Sequence, residues 1–577
     1  MDLKLIGASA TEHEVAVIHA AAPAAITEEV DGRVVRTARD TLRHLLLPVL
    51  DALQSEVGHI SRGAVDAIAV RLNVPPAEIF SVATFYALLS TEPRPGTVVH
   101  ICDDTACRTA GGAALLDVFA DRDDVVSTPC LGQCDRRPAA FVQRAGSPDE
   151  VITAADEAAI DSALEGIGFE PPEPHLHRGP LLARVGTVDP DSLDAYRAAG
   201  GYDALARALE MGPDAVIEEI TTAGLRGRGG AAFPTGIKWR GVRDQPDDEK
   251  YVVCNADESE PGTFKDRVLM EGDPFAVIEA LTVAGVTLGA RRGFLYIRGE
   301  YPLATTRLRE AIRQARAFGL LGEDVIGSGL AFDIDLRRGQ GAYICGEETA
   351  LFNSIEGFRG EPRQKPPFPT THGLFGKPTV INNVETLVNV NRIVLEGGAA
   401  YAATGTDDSS GSRLWCLSGD VADPGVYETD FGVTLGEMID LAGGPAGDIG
   451  HIMLGGAAGS LVGPDRMDVP LTFEGARQAG VSLGSGVIML FSTDVDMVDI
   501  VRRIARFFRD ESCGQCVPCR VGTVRVEEEV ARVSQGMPVD VGLIDDLDTA
   551  MKDASICGLG HTAAAVVRSA IDLGILR

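Results

Sequence analysis

The sequence predicts a multidomain α/β protein, and three observations lead to that class. The chain has 577 residues, several times the roughly 100–200 residues of a typical domain. Its hydrophobic and charged fractions, 45% and 24%, are those of a globular protein rather than a disordered or fibrous one. Segments with strand and helix patterns alternate along most of the chain, which is typical of packed α/β domains.

The net charge of the chain argues against some classes of binding partner. Acidic residues outnumber basic ones 84 to 52, which gives a formal net charge of −32. A field of that sign repels nucleic-acid phosphates and anionic lipid, so we expect no nucleic-acid partner. No apolar run reaches the ~20 residues that span a bilayer, and the N-terminus lacks a signal-peptide layout. We therefore expect a cytoplasmic protein without direct membrane insertion, in which an anionic nucleotide needs a local positive pocket.

The N-terminal part is expected to be a flexible tail followed by helices. Residues 1–33 are rich in Ala and acids and predict the tail. Residues 34–92 have helical periodicity: Pro48 suits a first helical turn, Gly58 can end that helix, and Ser61 can cap the next one.

The remaining chain divides by pattern into five segments. Residues 93–167 alternate short strands and helices, and the Pro-rich residues 168–199 predict an extended linker. Residues 200–405 predict a larger α/β domain. Residues 406–492 predict a small α+β domain with a Thr-x-x-Glu capping box, and residues 493–577 are helical.

Four cysteines near the C-terminus have the spacing of an iron–sulfur site. Cys513, Cys516 and Cys519 are separated by two residues each, and Cys557 follows in Ser-Ile-Cys-Gly. Three closely spaced thiolates with a remote fourth predict a [4Fe–4S] cluster, and zinc remains the alternative.

A second group of four cysteines precedes the linker. Cys102 and Cys107 enclose four residues, and Cys130 and Cys134 enclose three. Two loops that each supply two thiolates predict a [2Fe–2S] centre, although this spacing distinguishes iron–sulfur from zinc less sharply. The other three cysteines have apolar neighbours and are expected to be small buried side chains: Cys254, Cys345 and Cys416.

A glycine-rich segment is the first candidate nucleotide site. The glycine loop, Gly227–Ala232, formally matches a dinucleotide fingerprint but follows a predicted helix instead of a strand. We interpret it as a phosphate-binding loop with positive charge from Arg226, Arg228 and Lys238. The alternative is a flexible linker, against which three flanking residues with an expected buried position argue: Phe233, Ile237 and Trp239.

Three polar loops follow predicted strands. These are the acidic loop, Asn255–Gly262, the glutamate loop, Tyr343–Glu348, and the asparagine pair, Asn382–Asn383. Ligands of α/β sheets bind at the carboxyl ends of strands, so we expect one crevice for a flavin and a nicotinamide nucleotide. Solvated acidic turns are the alternative.

Long motifs make the chain resemble the flavoprotein subunit of respiratory complex I and the diaphorase subunits of NAD-linked hydrogenases and formate dehydrogenases. The matching segments are LRGRGGAAFPTGIKW (225–239), NADESEPGTFKDR (255–267), GAYICGEETAL (341–351), EPRQKPPFP (361–369), KPTVINNVETL (377–387), ESCGQCVPCRVGT (511–523) and SICGLG (555–560). Residues 47–140 resemble the [2Fe–2S] protein of the same family, which here is fused in front.

The resemblance implies a domain order and a set of ligand contacts. The order is a helical module, a thioredoxin-like [2Fe–2S] domain, a Rossmann-like FMN domain, a ubiquitin-like domain and a helical bundle with [4Fe–4S]. Contacts with FMN are expected at Gly227, Arg228, Gly229, Gly230, Lys238, Asn255, Asp257, Tyr343, Gly346, Glu347, Asn382 and Asn383. Contacts with NADH are expected at Phe233, Glu260, Glu348, Lys365 and Phe368, with Glu260 and Glu348 acting at the nicotinamide.

One position departs from the resemblance. Ala232 stands where the family usually has Gly. Its methyl group is expected to narrow the nicotinamide side of the site, beside Phe233.

The resemblance also implies the function and the partner. Hydride passes between NAD(H) and FMN, which exchanges single electrons with the clusters. Fusion with all four front cysteines predicts the β subunit of a formate dehydrogenase, partnered in a hetero-oligomer by a large iron–sulfur α subunit with a molybdenum or tungsten pterin. The alternatives are a hydrogenase diaphorase, a fused complex I subunit, and a non-catalytic iron–sulfur relay or scaffold.

Overall fold

The structure, a computed structural model, describes residues 8–24, 28–30, 33–35, 41–169 and 172–577. Within these ranges the chain is the expected multidomain α/β protein, with four β-sheets and a helical C-terminal region. None of the described helices is long and apolar enough to cross a membrane.

The N-terminal region is helical where it was expected to be a tail. Thr11 and Glu14 form a capping box at the start of the helix Glu12–Ala21, and Ile18 packs into the core of the helical module. The capping signal was present in the sequence, and the expected tail is wrong over this helix. Residues 1–7, 25–27 and 31–32 of that tail lie outside the described residues.

Three helices and a short ribbon complete the helical module. Ser61 caps the third helix through the Ala64 N–H, and Gly58 ends the second in a left-handed conformation, as expected. The helices are Leu46–Val57, Arg62–Leu72 and Pro76–Ala83, and the antiparallel strands are Glu28–Val30 and Arg33–Val35.

The thioredoxin-like domain contains a mixed four-stranded sheet. Its first two strands in spatial order are parallel and the others antiparallel: Val125–Thr128, Thr97–Cys102, Ala139–Arg144 and Glu150–Thr153. Three helices cover it: Thr105–Thr109, Gly112–Val118 and Glu157–Leu164. Cys102 is the last residue of a buried inner strand and therefore lies at the carboxyl end of that strand.

The central domain is built on a fully parallel sheet. In spatial order its strands are Asp333–Arg338, Arg292–Ile297, Tyr251–Ala256 and Thr379–Asn383. Its helices are Leu193–Ala198, Asp203–Met211, Pro213–Thr222, Thr235–Arg243, Lys265–Gly272, Pro274–Leu288, Pro302–Ala317, Glu348–Glu356, Pro369–His372, Val384–Glu396 and Gly398–Ala402. The strand order reverses direction beside Tyr251–Ala256, and such a switch point is where doubly wound sheets open a ligand crevice.

The ubiquitin-like domain includes a strand from the expected linker. His175–His177 pairs in parallel with Gly425–Asp430, because the edge of that strand is open for hydrogen bonding. The linker therefore joins a sheet instead of running free. The spatial order is Ser460–Val462, Ile449–Leu454, Val487–Ser492, Ser412–Gly419, Gly425–Asp430 and His175–His177, and the helices are Leu435–Leu441, with the expected capping box, and Phe473–Gln478.

The C-terminal region is helical, as expected. Its helices are Met497–Asp510, Val517–Ser534, Val541–Ala554, Gly558–Thr562 and Ala565–Asp572. Side chains of these helices join one continuous apolar core with the central and ubiquitin-like domains. The regions that carry the two cysteine groups are therefore packed against the central domain.

Candidate functional site

The three polar loops and the glycine loop meet at one cavity of about 390 Å³. It opens at the carboxyl end of the parallel sheet, beside the switch point. Its walls are formed by Gly229, Gly230, Ala231, Asn255, Asp257, Glu258, Ser259, Glu260, Thr263, Lys265, Asp266, Tyr343, Ile344, Gly346, Glu347, Asn383, Ala458, Ser482, Gly484, Ser485, Gly558, Leu559 and Thr562. The single crevice expected from the loops is confirmed.

Nine of the expected contact residues line this cavity, and eight lie outside its lining. The lining includes Gly229, Gly230, Asn255, Asp257, Glu260, Tyr343, Gly346, Glu347 and Asn383. The remaining expected residues are Gly227, Arg228, Phe233, Lys238, Glu348, Lys365, Phe368 and Asn382.

The glycine loop is a tight turn that leaves little room for side chains. A Cβ on Gly229 would lie 3.1 Å from the Cβ of Asn383. The Gly227 N–H donates to the Phe233 carbonyl (3.0 Å), which closes the loop at its base. Ala232, the departure from the family pattern, has φ of +53°, a left-handed conformation that glycine adopts without strain. The backbone thus explains why glycine suits this position.

Arg228 does not supply the positive charge that the sequence led us to expect. Its side chain is buried, and its guanidinium donates to the carbonyls of Ser410 and Ser412 and to the Tyr401 hydroxyl. Its backbone N–H donates to Thr386 Oγ1 (2.8 Å). Arg228 therefore anchors the loop to the ubiquitin-like domain, and the expectation that its charge faces a phosphate is wrong.

A cation that sequence reasoning missed lines the cavity instead. Lys265 is buried, with its Nζ 2.8 Å from Asp266 and 3.0 Å from Glu385. It lies in the motif that carries the acidic loop, so the signal was available. Its two carboxylate partners stabilise the ammonium and raise its pKa, although burial opposes the charge.

The acidic loop is held in place by its own polar groups. Glu258 accepts the N–H groups of Asp266 and Arg267 (both 3.0 Å) at the start of the helix Lys265–Gly272. Asn255 donates to the Gly346 carbonyl (2.8 Å), which joins the acidic and glutamate loops. Asp257 Oδ2 is buried and accepts no hydrogen bond from the described residues. Such an unpartnered oxygen in the lining fits a ligand with hydrogen-bond donors.

Glu260 reaches across the cavity to the ubiquitin-like domain. Its Oε1 accepts the Ala458 N–H (2.9 Å) and its Oε2 accepts the Ser485 hydroxyl (2.6 Å). The two domains therefore meet at this carboxylate.

Two lysines and two glutamates form an ion-pair group at the glutamate loop. Lys365 Nζ lies 2.9 Å from Glu347 and 2.8 Å from Glu348, and Lys238 Nζ lies 3.5 Å from Glu348. Burial opposes ionisation of Glu348, but the two ammonium groups outweigh it and lower the pKa of Glu348. Glu347 also accepts two backbone N–H groups at the start of the next helix. The loop itself begins as a short 3₁₀ turn, Tyr343–Gly346, where we expected the end of a strand.

The aromatic residues near the glycine loop are exposed. Phe233 and Phe368 are 50% and 57% accessible, and Ile237 is also exposed, so the expected burial of Phe233 and Ile237 is wrong. Trp239 is buried as expected and donates to Asn382 Oδ1 (2.9 Å), and Asn382 lies outside the cavity lining. Open aromatic faces are suited to stacking with planar rings.

The four front cysteines are buried and in contact. The thiol of Cys102 contacts those of Cys107 and Cys130, and the Cys130 and Cys134 sulfurs are 3.4 Å apart. Four converging thiols are the donor set of a [2Fe–2S] centre.

The front site rests directly on the acidic loop. The Gly262 N–H hydrogen-bonds to the Cys130 thiol, and Arg298 donates to the carbonyls of both Cys130 and Glu258 (2.7 Å each). Arg267 pairs with Asp135, beside Cys134, through two hydrogen bonds of 2.8 and 2.9 Å. One face of the acidic loop thus lines the cavity while the other supports the front cysteines.

The C-terminal cysteines adjoin the cavity through the residues that follow Cys557. Cys519 and Cys557 are buried, and Cys513 and Cys516 are partly buried. A Cβ on Gly560 would lie 3.1 Å from the Cβ of Cys519, so glycine permits the two cysteine loops to approach. Gly558, Leu559 and Thr562, which follow Cys557, line the cavity. Sequence reasoning missed this contact because nothing in the C-terminal pattern indicates which loops it meets.

The glutamate loop also touches the helix that leads to these cysteines. The Tyr343 N–H donates to Glu511 (2.9 Å), and the rings of Tyr343 and Phe507 are 5.0 Å apart. Tyr343 of the cavity wall therefore contacts the segment that leads directly to Cys513.

Three family models match the chain. Residues 34–167 match the thioredoxin-like [2Fe-2S] ferredoxin, residues 220–392 the Nuo51 FMN-binding domain, and residues 499–573 the NADH-ubiquinone oxidoreductase-F iron-sulfur binding region. FMN and two iron–sulfur clusters are therefore the cofactors of this chain, with NADH as substrate. Three features fit these cofactors: the glycine loop, the unpartnered Asp257 oxygen and the two sets of four cysteines.

Individual relatives cover most of the chain. An NADH-quinone oxidoreductase subunit of Rhizobium meliloti is 44% identical over 68% of the chain and 94% of its own length. The alpha subunit of the NAD-reducing hydrogenase HoxS of Cupriavidus necator is 34% identical over 92% of the chain and 90% of its own length. A crystal structure of air-oxidized NAD+-reducing [NiFe]-hydrogenase superimposes with a TM-score of 0.80 at 35% identity, over 94% of this chain and 95% of the matched one.

Separate substitutions should remove the two clusters separately. We expect Cys107→Ser to abolish the [2Fe–2S] signal and preserve most NADH–ferricyanide activity, because the cavity is built without that thiol. Cys516→Ser should remove the [4Fe–4S] signal and reduce electron delivery to a partner protein. Electron paramagnetic resonance of the dithionite-reduced variants, with iron and sulfide analysis, checks both expectations.

The control is Cys254→Ser, since Cys254 is a buried cysteine that belongs to neither group. An unchanged reduced-iron spectrum in Cys107→Ser would contradict the [2Fe–2S] assignment and favour zinc.

Proposed function

We propose a specific role for this chain, which belongs to the family of the complex I 51 kDa flavoprotein and carries a fused [2Fe–2S] module: it is the NAD(H)-reacting subunit of a formate dehydrogenase. The chain is an NADH-binding electron-transfer subunit of an NAD-dependent oxidoreductase.

Different residues of the cavity serve FMN and the nicotinamide. Bound FMN supplies hydride exchange with the nicotinamide and single-electron exchange with the clusters. The glycine loop offers backbone N–H groups, and Asp257 and Asn383 offer polar side chains from the sheet edge. Glu260, fixed by two hydrogen bonds, presents a carboxylate oriented for the nicotinamide side.

Exposed aromatic side chains suit the planar base of NADH. Phe233 and Phe368 are accessible, and Phe368 follows by three residues Lys365, which pairs with Glu348, so a planar base can stack near a charged pair. Because the ammonium of that pair is already neutralised by glutamate, a dinucleotide without an additional phosphate is the better match.

The complete front cysteine set is the observation that carries the formate dehydrogenase proposal. All four thiols are buried, in contact, and supported by the acidic loop. A chain that binds both clusters exchanges electrons with a partner protein, and we propose that this partner carries the one-carbon chemistry on a molybdenum or tungsten pterin. That partner is a large iron–sulfur α subunit.

A hydrogenase diaphorase is the second candidate function. It is favoured by the relatives that cover more than nine-tenths of the chain, whose names describe NAD-reducing hydrogenases. The two candidates share the NAD(H) site and differ in the partner.

An apolar stripe beside the C-terminal cysteines suits this partner. Val517, Val521 and Val524 are exposed on one face of the helix that follows Cys516, at 58%, 48% and 37% accessibility. Exposed valines at helical spacing next to a cluster loop suit a protein interface that brings a second cluster within electron-transfer distance. We assign this stripe to the α subunit.

Glu260→Gln should impair nicotinamide handling more than FMN binding. The amide keeps the size of the side chain but loses the negative charge. We therefore expect kcat/KM for NADH to fall about tenfold. FMN content should stay near one per chain. The measurement is steady-state NADH–ferricyanide kinetics with flavin quantification, and Glu310→Gln, on the helix Pro302–Ala317, is the control. Loss of FMN with unchanged kinetics per flavin would show that Glu260 serves the flavin instead.

The affinity-purified complex should contain molybdenum or tungsten and reduce NAD+ with formate. Metal analysis and formate-dependent NAD+ reduction decide this. Nickel with hydrogen-dependent NAD+ reduction would establish the hydrogenase candidate, and a complex with neither metal would contradict both.

Disruption of the valine stripe tests the interface in the same preparation. Val521→Glu should reduce recovery of the partner while NADH–ferricyanide activity is retained. Val70→Glu, at a similarly exposed helix position in the N-terminal module, is the matched control. Full recovery of the partner with Val521→Glu would contradict the assignment of the stripe.

A further inference from the structure

The ubiquitin-like domain contains a slot that receives the Glu260 carboxylate. The slot is formed by two turns of that domain, which provide Gly456 and Ala458 on one side and Ser485 on the other. Each carboxylate oxygen has one donor: the Ala458 N–H at 2.9 Å and the Ser485 hydroxyl at 2.6 Å. Ser485 is 7% accessible, so its hydrogen bond is shielded from bulk water.

The backbone of the slot is shaped for this side chain. Gly456 has φ of +84°, and a Cβ there would lie 2.7 Å from Glu260 Cδ. Any other residue would push the carboxylate out of its position. Gly486, next to Ser485, also has a positive φ of +92°. Gly456 therefore lets the backbone approach the carboxylate closely, whereas a Cβ on Gly486 would lie 2.7 Å from the Leu414 carbonyl oxygen.

The hydrogen bonds from Ser485 and Ala458 affect the pKa of Glu260. Burial raises the pKa of Glu260, and the hydrogen bonds from Ser485 and Ala458 counteract this by favouring the ionised form. From the glutamate loop, the Tyr343 phenol faces Glu260, and its own pKa is raised by burial and by the nearby carboxylates, so it stays neutral. Other titratable groups of the cavity wall are Asp257, Glu258, Lys265, Asp266 and Glu347.

We propose that Ser485 is a positioning residue for the NAD(H) reaction, through which the ubiquitin-like domain orients the Glu260 carboxylate. The inference rests on the proposed role of Glu260 at the nicotinamide. It assigns to the ubiquitin-like domain a task in the site beyond connecting the central domain with the C-terminal helices.

The test is Ser485→Ala, measured by NADH–ferricyanide kinetics as a function of pH. Loss of one hydrogen bond to a carboxylate should raise KM for NADH about tenfold, with a smaller change in kcat. Because the lost bond stabilised the ionised form, the pKa of Glu260 rises, and the acidic limb of the kcat/KM profile should shift to higher pH. FMN content and both cluster spectra should be unchanged.

Two further variants separate positioning from packing. Ser485→Thr keeps the hydroxyl and should restore the wild-type pH profile. Ser418→Ala is the matched control, since Ser418 is a fully buried serine in the same domain whose hydroxyl has no hydrogen-bond partner among the described residues. If Ser485→Ala has the same KM and pH profile as Ser418→Ala, the proposal is overturned.

Glu260→Gln distinguishes this proposal from the one on which it rests. An impaired Glu260→Gln with a silent Ser485→Ala would overturn only the positioning role of Ser485. A silent Glu260→Gln would overturn the role of Glu260, and the role of Ser485 with it.

Discussion

The acidic loop, Asn255–Gly262, is the constraint on which the rest of the structure depends. It leaves the central strand of the parallel sheet and contacts four other parts of the chain within eight residues. Asn255 binds the glutamate loop, Glu258 starts the next helix, Glu260 enters the ubiquitin-like domain, and Gly262 hydrogen-bonds to a front cysteine. A displacement of this loop would therefore change the cavity and the [2Fe–2S] support together.

Buried arginines let a strongly acidic chain assemble around this loop. Arg267 and Arg298 connect the thioredoxin-like domain to the central domain, and Arg503 connects it to the C-terminal helices through Asp103 and Asp104. Burial of such charges is tolerated because each guanidinium has several acceptors, and removal of one partner would leave an uncompensated charge. Arg228 belongs to the same group, which explains why its charge is directed into the protein and away from the cavity.

The sequence predicted the site where local pattern and strand order were sufficient. Polar residues after strands placed Asn255, Asp257 and Asn383 correctly, because the carboxyl ends of parallel strands share one edge of the sheet. Ser485 and Leu559 could not be predicted, since their position in the cavity depends on packing between domains more than 200 residues apart in the chain. The direction of the Arg228 side chain could not be predicted either, because its acceptors Ser410 and Ser412 also lie in another domain. The helix Glu12–Ala21, in contrast, had a local capping signal in the sequence.

The most direct test of the account is an anaerobic NADH titration of the purified chain, followed by flavin absorbance and electron paramagnetic resonance. One polypeptide that binds NADH, FMN and both clusters should show bleaching of one bound FMN per chain and signals from reduced iron–sulfur clusters, with turnover when ferricyanide is added. A folded, iron-loaded chain that binds no flavin, or whose flavin NADH leaves oxidised, would contradict it.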